Sequence, residues 1–420
     1  MLNKNSEREL AYVVTVDSIE PIPGKDRVEC ARVKGWTCMV PKGAFKVGDP
    51  GIYFEIDSLV PVDKDPFKFC EKYKGHIKTQ KFKNPDGSQF WSQGLLMPAS
   101  EFGWTVEFRL INGGVYCIRD DKGTEHFAND ESAFLTKQLG ITYYEPEDQK
   151  RKASSSSDKY KKMAQRYPNL FRNNAFVKWL YKRDWGKKLL FFFLGKKKDK
   201  RGWPEWVVKT DEERVQNIPF ILQSDDPWIA TEKIDGTSTT FTMKGRGHKR
   251  EFYVCSRNVC FDTPEKMEKG AWYDSNVYQE MAVKYNVEKV LSEIMELYKD
   301  LDFVTLQGET FGAGIQKRDY GMKDHDFRAF NLIFGYKNGE RKRFNPREMT
   351  DILAQWSIPS VPIVDEHFIT PKTVDEILQI ATDKSIIDGG MREGLVFRSL
   401  DGVKSFKAVS NEFLVKYHQG

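Results

Sequence analysis

The strongest constraint on the fold is a change of period partway along the 420-residue chain. Residues 10–145 are short β-branched or aromatic runs: AYVVTVDSIEPI, ARVKGWTCMV and GIYFEIDSLVPV. Turn signals such as PGKD, KGAFKVGD and NPDGS separate them. Strands this short and this regularly spaced predict a small closed barrel or sandwich. LTKQLGITYYEP then reads as a short helix and an exit from that unit.

From residue 211 onward strands alternate with helices. TDEE at 210–213 fits a capping box that would open a helix. YQEMAVKYNVEKVLSEIMELYKDL, residues 278–301, carries apolar residues at i, i+3, i+4 and i+7 and predicts one amphipathic helix. NPREMTDILAQW and TVDEILQIATDK predict two more. FVTLQGET, FRAFNLIFG, EGLVFRS and SFKAV read as strands.

Between the two textures lies residues 146–210. EPEDQKRKASSSSDKYKK is polar and low in complexity, the composition of an exposed linker. The stretch 159–201 then holds fifteen Lys or Arg against two Asp, about +13, which leaves the rest of the chain near −8 against an overall +5. The positive charge is therefore local, and it is interleaved with aromatics. NNAFVKWLYK within it has the spacing of a short amphipathic helix.

Six scattered cysteines form no C-x-x-C pair, which argues against a zinc site and for reduced thiols in an intracellular, cytoplasmic protein. The N-terminus lacks the apolar core of a signal peptide. The longest apolar run, LLFFFL at 189–194, is too short to span a bilayer.

The chemistry-bearing residues sit at strand ends. Lys233 lies in TEKIDGTS, where a strand runs into an Asp-Gly turn. On its own K-x-D-G describes a solvated lysine beside a turn equally well. After it, in fixed order, come SRN with Arg257, QGET with Glu309, FRAFN with Phe330, REGLVFR with Glu393, and SFK with Lys407. This ordered set, spanning about 175 residues, resembles the covalent nucleotidyltransferases, the superfamily of ATP-dependent ligases and mRNA capping enzymes. GETFGAGIQK is most similar to the RNA ligases. The region from PIPGKDRVEC to SQGLLMPAS resembles the OB-type domain that precedes the catalytic domain in nick-sealing RNA ligases.

That resemblance implies an α+β chain with three parts. Residues 1–145 are an OB-like β-barrel, 146–210 a basic aromatic insert, and 211–420 an ATP-grasp-like nucleotidyltransferase domain of antiparallel sheets and helices. It implies ATP and Mg²⁺ or Mn²⁺ as cofactors, a monomer, and RNA with 3′-OH and 5′-phosphate ends as partner, with a nicked duplex as the expected form. Lys233 is the expected nucleophile toward the α-phosphate of ATP. A desolvated pocket with Lys407, Arg214 and a metal ion nearby would lower its pKa from the free value near ~10.4. By the same resemblance Asp235, Glu309 and Glu393 hold metal waters, Glu232 reads the adenine edge, Phe330 stacks on adenine, and Arg257 contacts ribose or a 5′-phosphate. Gly236, Arg214 and Lys404 complete the expected nucleotide site.

One departure stands out: many RNA ligases have K-x-K where this chain has Ser405-Phe406-Lys407, so either Lys404 substitutes with a shifted reach or the site manages with one lysine. Three other readings stay open: a DNA ligase, a capping guanylyltransferase, and a non-catalytic RNA-binding protein. The chain ends about 13 residues after Lys407, and this spacing argues against the C-terminal OB domain of the first two.

Overall fold

The computed structural model describes residues 9–87, 89–109, 115–127, 134–144, 174–194, 200–201, 203–208, 211–257, 260–261 and 276–417. The polar segment read as a linker at 145–162 lies outside the described residues.

The N-terminal strands are β1 Ala11–Thr15, β2 Ser18–Pro21, β3 Val28–Val33, β4 Trp36–Pro41, β5 Pro50–Phe54, β6 Ser58–Leu59, β7 Gln80–Lys83, β8 Gln89–Ser92 and β9 Leu95–Met97. β1, β5 and β9 form one antiparallel sheet and β2, β3 and β4 another. Strand periodicity explains why β1 and β5 are apolar throughout. Successive side chains point to opposite faces, and both faces of this sheet are covered. Ala11, Val13, Ile52 and Phe54 enter one core with Phe67, Trp104 and Ile118. Tyr12, Val14 and Tyr53 enter a second core with Ala31, Val33 and Trp36. The first core is closed by a further small sheet, β10 Thr105–Arg109, β11 Val115–Arg119 and β12 Glu125–Phe127, by the helix Phe134–Gln138, and by β13 Thr142–Tyr143, which pairs with β6.

The C-terminal half is two sheets. The larger is antiparallel with order β14-β19-β18-β17-β20-β21-β22: Lys200–Arg201, Cys260–Phe261, Glu251–Ser256, Thr237–Lys244, Leu301–Gly312, His325–Tyr336 and Arg341–Arg343. Helices Val277–Lys284, Val287–Leu297 and Pro346–Ala354 pack on one face of it. The smaller has order β15-β25-β24-β16-β23: Glu213–Arg214, Ser405–Val409, Gly394–Ser399, Trp228–Lys233 and Ile363–Phe368. Its core is covered by the helix Val374–Ala381. Ile234, Phe311, Tyr320 and Val361 form a small buried cluster of their own.

Two helices begin as read from sequence. Asn345 and Glu348 make a reciprocal capping box with Pro346 at the first position, and the Thr373 hydroxyl accepts from the Glu376 N–H. Two expectations are corrected. The predicted helix 278–301 is two helices, because Asn286 adopts a left-handed conformation at φ +48° and breaks the ladder between them. Among the described residues 211–213 no helix opens. Glu213–Arg214 is instead a short strand beside β25, with Arg214 opposite Lys407.

That strand leads into the seam between the two halves. Asn217 accepts at Oδ1 from the Tyr12 hydroxyl (3.0 Å) and the Trp36 indole N–H (2.8 Å), and donates to Glu55 (3.0 Å). The Gly35 N–H donates to the Gln216 carbonyl at 2.9 Å. A Cβ at Gly35 would stand 2.7 Å from the Gln216 Cα, so this contact requires glycine. Val409 and Leu414 extend the second N-terminal core into the C-terminal half.

Candidate active site

Lys233 is the last residue of β16, a strand buried along its whole length up to that point. β16 is paired on both sides, with β23 and β24. Lys233 stands opposite Gly394, so Glu393, one residue earlier, lands beside it. Lys233 Nζ donates to Glu393 Oε1 over 2.6 Å. The chain then crosses from the small sheet to the large one through Ile234, Asp235 and Gly236. A Cβ at Gly236 would meet the Thr310 carbonyl oxygen at 2.3 Å and Glu309 Cγ at 3.0 Å. Glycine here lets the turn press onto β20 and brings Asp235 and Glu309 into one group. The Asp235 N–H donates to the Tyr320 hydroxyl at 2.7 Å, which pins the turn from the other side.

Three carboxylates therefore surround one ammonium. Burial pulls the Lys233 pKa down, but Glu393, Glu309 and Asp235 together outweigh it and raise the value above normal. This corrects the sequence expectation of a lowered pKa: Lys233 is held as a cation. Glu309 moves the other way from an ordinary carboxyl. Burial pushes it up, Lys233 opposes, and the like charges of Glu393 and Asp235 add to the rise, to about 8.

A second group carries the positive charge. Lys407 Nζ donates to Asp211 Oδ1 at 3.0 Å, and Arg257 donates to the other oxygen of Asp211 at 2.7 Å. Burial lowers the Lys407 pKa. Asp211 opposes this, while Arg214 and Lys233 reinforce it. Arg214 also lies 4.0 Å from Asp57 of the N-terminal half. Asp211 and Glu212 are the residues the sequence reading missed, because D-E-E after a threonine has the pattern of a helix cap. Glu212 accepts from Arg398 at 2.9 Å and from the Ser405 hydroxyl. Ser405, in the place of the expected lysine, thus faces a carboxylate.

The remaining candidates divide. Phe330 sits where the β20–β21 register shifts, half-buried against the Ile234–Phe311–Tyr320–Val361 cluster, so it forms one wall of the site. Its carbonyl accepts from Arg398 at 2.7 Å. Glu232 is 1 % exposed, and both its oxygens are occupied, by the Ser385 hydroxyl (2.5 Å) and the Ile386 N–H (2.8 Å). It braces the 385–386 loop in the ligand-free molecule and offers no open edge to adenine. Lys404 is exposed in the turn joining β24 to β25, where its backbone bonds Ser399. It lies one residue ahead of β25 and outside the strand that carries Lys407. Asn258, the last residue of the SRN motif, lies outside the described residues.

Among the described residues no three His, Cys, Asp or Glu side chains converge closely enough to ligate a metal directly. Two observations fit a divalent ion held through its waters: Glu393 Oε2 is buried without a hydrogen-bond partner, and the Glu309 carboxyl is crowded by like charges. All six cysteines are buried and unpaired. No helix among the described residues is long and apolar enough to cross a membrane.

Comparison with known proteins bears on this arrangement. Residues 226–418 match the RNA ligase family, and residues 10–99 match an OB-fold domain family. No curated protein sequence matches. Among solved structures, the chain is similar to a lysine mutant of Naegleria gruberi RNA ligase with ATP and Mn. The identity is 27%, the match covers 97% of this chain and 99% of that one, and the TM-score is 0.67. It is likewise similar to that ligase with pyrophosphate, at 26% identity, 99% and 100% coverage and TM-score 0.66.

Proposed function

We propose that this chain, whose residues 226–418 match the RNA ligase family and whose residues 10–99 match an OB-fold domain family, uses ATP and a divalent metal to join a 3′-OH to a 5′-phosphate at nicks in duplex RNA. It works as a monomer through lysine–AMP and AppRNA intermediates. The observation that carries the proposal is the division of charge around Lys233. A buried carboxylate, Glu393, touches its Nζ at 2.6 Å, and a cationic group of Lys407, Arg257 and Arg214 stands close by.

Lys233 must lose a proton before it can attack phosphorus. Its nearest acceptor is Glu393 Oε1, and the second oxygen of that carboxylate has no partner. Glu393 is thus the base that receives the Lys233 proton. Lys407 and Arg257, fixed by Asp211, present fixed positive charge to the α-phosphate as it gains charge. Phe330 supplies a flat apolar wall for the base. Asp235, Glu309 and Glu393 would hold a divalent ion through its waters, and that ion would supply charge neutralisation at the phosphates. The OB domain grips the strand that provides the 3′-OH.

A labelled nicked duplex tests the proposal. Sealing should require ATP, a ribose 3′-end and Lys233. Equal or better sealing of an all-deoxyribose nick points to a DNA ligase. No sealing of either, with an intact Lys233, removes the joining reaction.

A further inference from the structure

Within the basic insert, helices Ala175–Tyr181 and Asp184–Leu194 form a hairpin. Asn174 caps the first, its side chain accepting from the Phe176 and Val177 N–H groups. Val177, Leu180 and Leu190 are buried, and Gly186 lies so close to the Leu180 carbonyl that a Cβ would stand 2.1 Å from it. These residues close the hairpin. Three large aromatics do not take part in that closure. Phe176, Trp179 and Trp185 are 65%, 45% and 55% exposed.

The exposed rings are arranged together. Phe176 and Trp179, three residues apart on one helix face, stack with centroids 5.9 Å apart. Trp185 meets Trp179 edge-on at 6.0 Å, and the Arg183 guanidinium lies 3.9 Å over the Trp179 ring. Residues 174–194 carry five Lys or Arg against one Asp. An exposed aromatic cluster on a strongly cationic element is complementary to a polyanion whose units have flat faces.

The hairpin is also tethered near the site. Lys200–Arg201 pairs with Cys260–Phe261 at the edge of the large sheet, and Cys260 is three residues after Arg257. Lys200 follows Leu194 by six residues, a reach of at most about 20 Å.

We propose that this hairpin is an RNA grip, with Phe176, Trp179 and Trp185 stacking on unpaired bases while the neighbouring lysines hold phosphates, and that it holds the strand beside the joining site. The proposal rests on the ligase reading for the position of that strand, but not for the binding itself.

The test uses the full chain and a fluorescein-labelled RNA with a single-stranded tail, with binding read by anisotropy at several salt concentrations. Trp179→Ala/Trp185→Ala should weaken binding about five-fold or more for each base that no longer stacks. Lys178→Glu/Lys182→Glu should weaken it and flatten the log–log salt dependence by about 0.7 for each single-strand phosphate that is no longer neutralised. Both variants should still form AMP-labelled protein at the wild-type level, which shows that they fold. A wild-type chain that takes no AMP, combined with this loss of RNA affinity, would remove the ligase reading and leave the grip standing. Unchanged RNA affinity and salt slope in both variants would overturn the proposal. Wild-type dimers that become monomers in the tryptophan variant, with RNA affinity unchanged, would overturn it in favour of an interface between copies.

Discussion

Glu309→Gln should make the metal-free protein more stable at alkaline pH. The Glu309 carboxyl is pushed from its ordinary 4.5 to about 8 by burial and by the like charges of Glu393 and Asp235, with Lys233 opposing. In the unfolded chain it ionises near 4.5, while in the folded chain it keeps its proton until about 8. Between those values the folded state binds more protons, so stability falls as pH rises and levels off above about 8. The full shift corresponds to about 5 kcal/mol. The partly exposed position calls for a discount to about 2–3 kcal/mol. For a protein of 420 residues that is roughly 2–4 °C in Tm. Gln is neutral throughout and does not lose this stability. Thermal melts in EDTA from pH 5 to pH 9 should therefore start together at pH 5 and diverge, with Glu309→Gln the higher at pH 9. Parallel curves, or a variant that is less stable at pH 9, would refute the view that crowded carboxylates define this site.

Two further outcomes follow from the geometry. Asp211→Asn removes the negative charge and one of the two oxygens that accept from Lys407 and Arg257. It should cost about 2 kcal/mol in a denaturant melt and slow AMP labelling roughly ten-fold or more, although the residue belongs to none of the recognised motifs. Gly236→Ala places a Cβ 2.3 Å from the Thr310 carbonyl, a backbone atom that cannot step aside. The turn must then lift off β20, and labelling should fall about a hundred-fold while far-ultraviolet circular dichroism stays unchanged.

Residues that act from the ends of paired strands were legible in the sequence. Lys233, Glu309, Glu393 and Lys407 each belong to a short motif on a strand that reads clearly as one, and the sheets bring Lys233, Glu309 and Glu393 together and set Lys407 close by. Asp211 was not legible, because nothing local distinguishes a carboxylate that starts a helix from one that pairs with a lysine 196 residues away. The break at Asn286 hid for a different reason. The apolar spacing continues through it, and only the backbone angle reveals the turn. The Lys233 pKa depended on tertiary placement: cations and anions occur in comparable number among the motifs, and the fold sets the anions nearer.

The most direct test of the account is a peptide map of the protein after incubation with ATP and MnCl2. The account predicts AMP in an acid-labile phosphoramidate on the peptide containing Lys233, lost in Lys233→Ala and strongly reduced in Glu393→Gln. No adduct, an adduct on Lys404 or Lys407 instead, or an adduct formed from GTP but not ATP would contradict it.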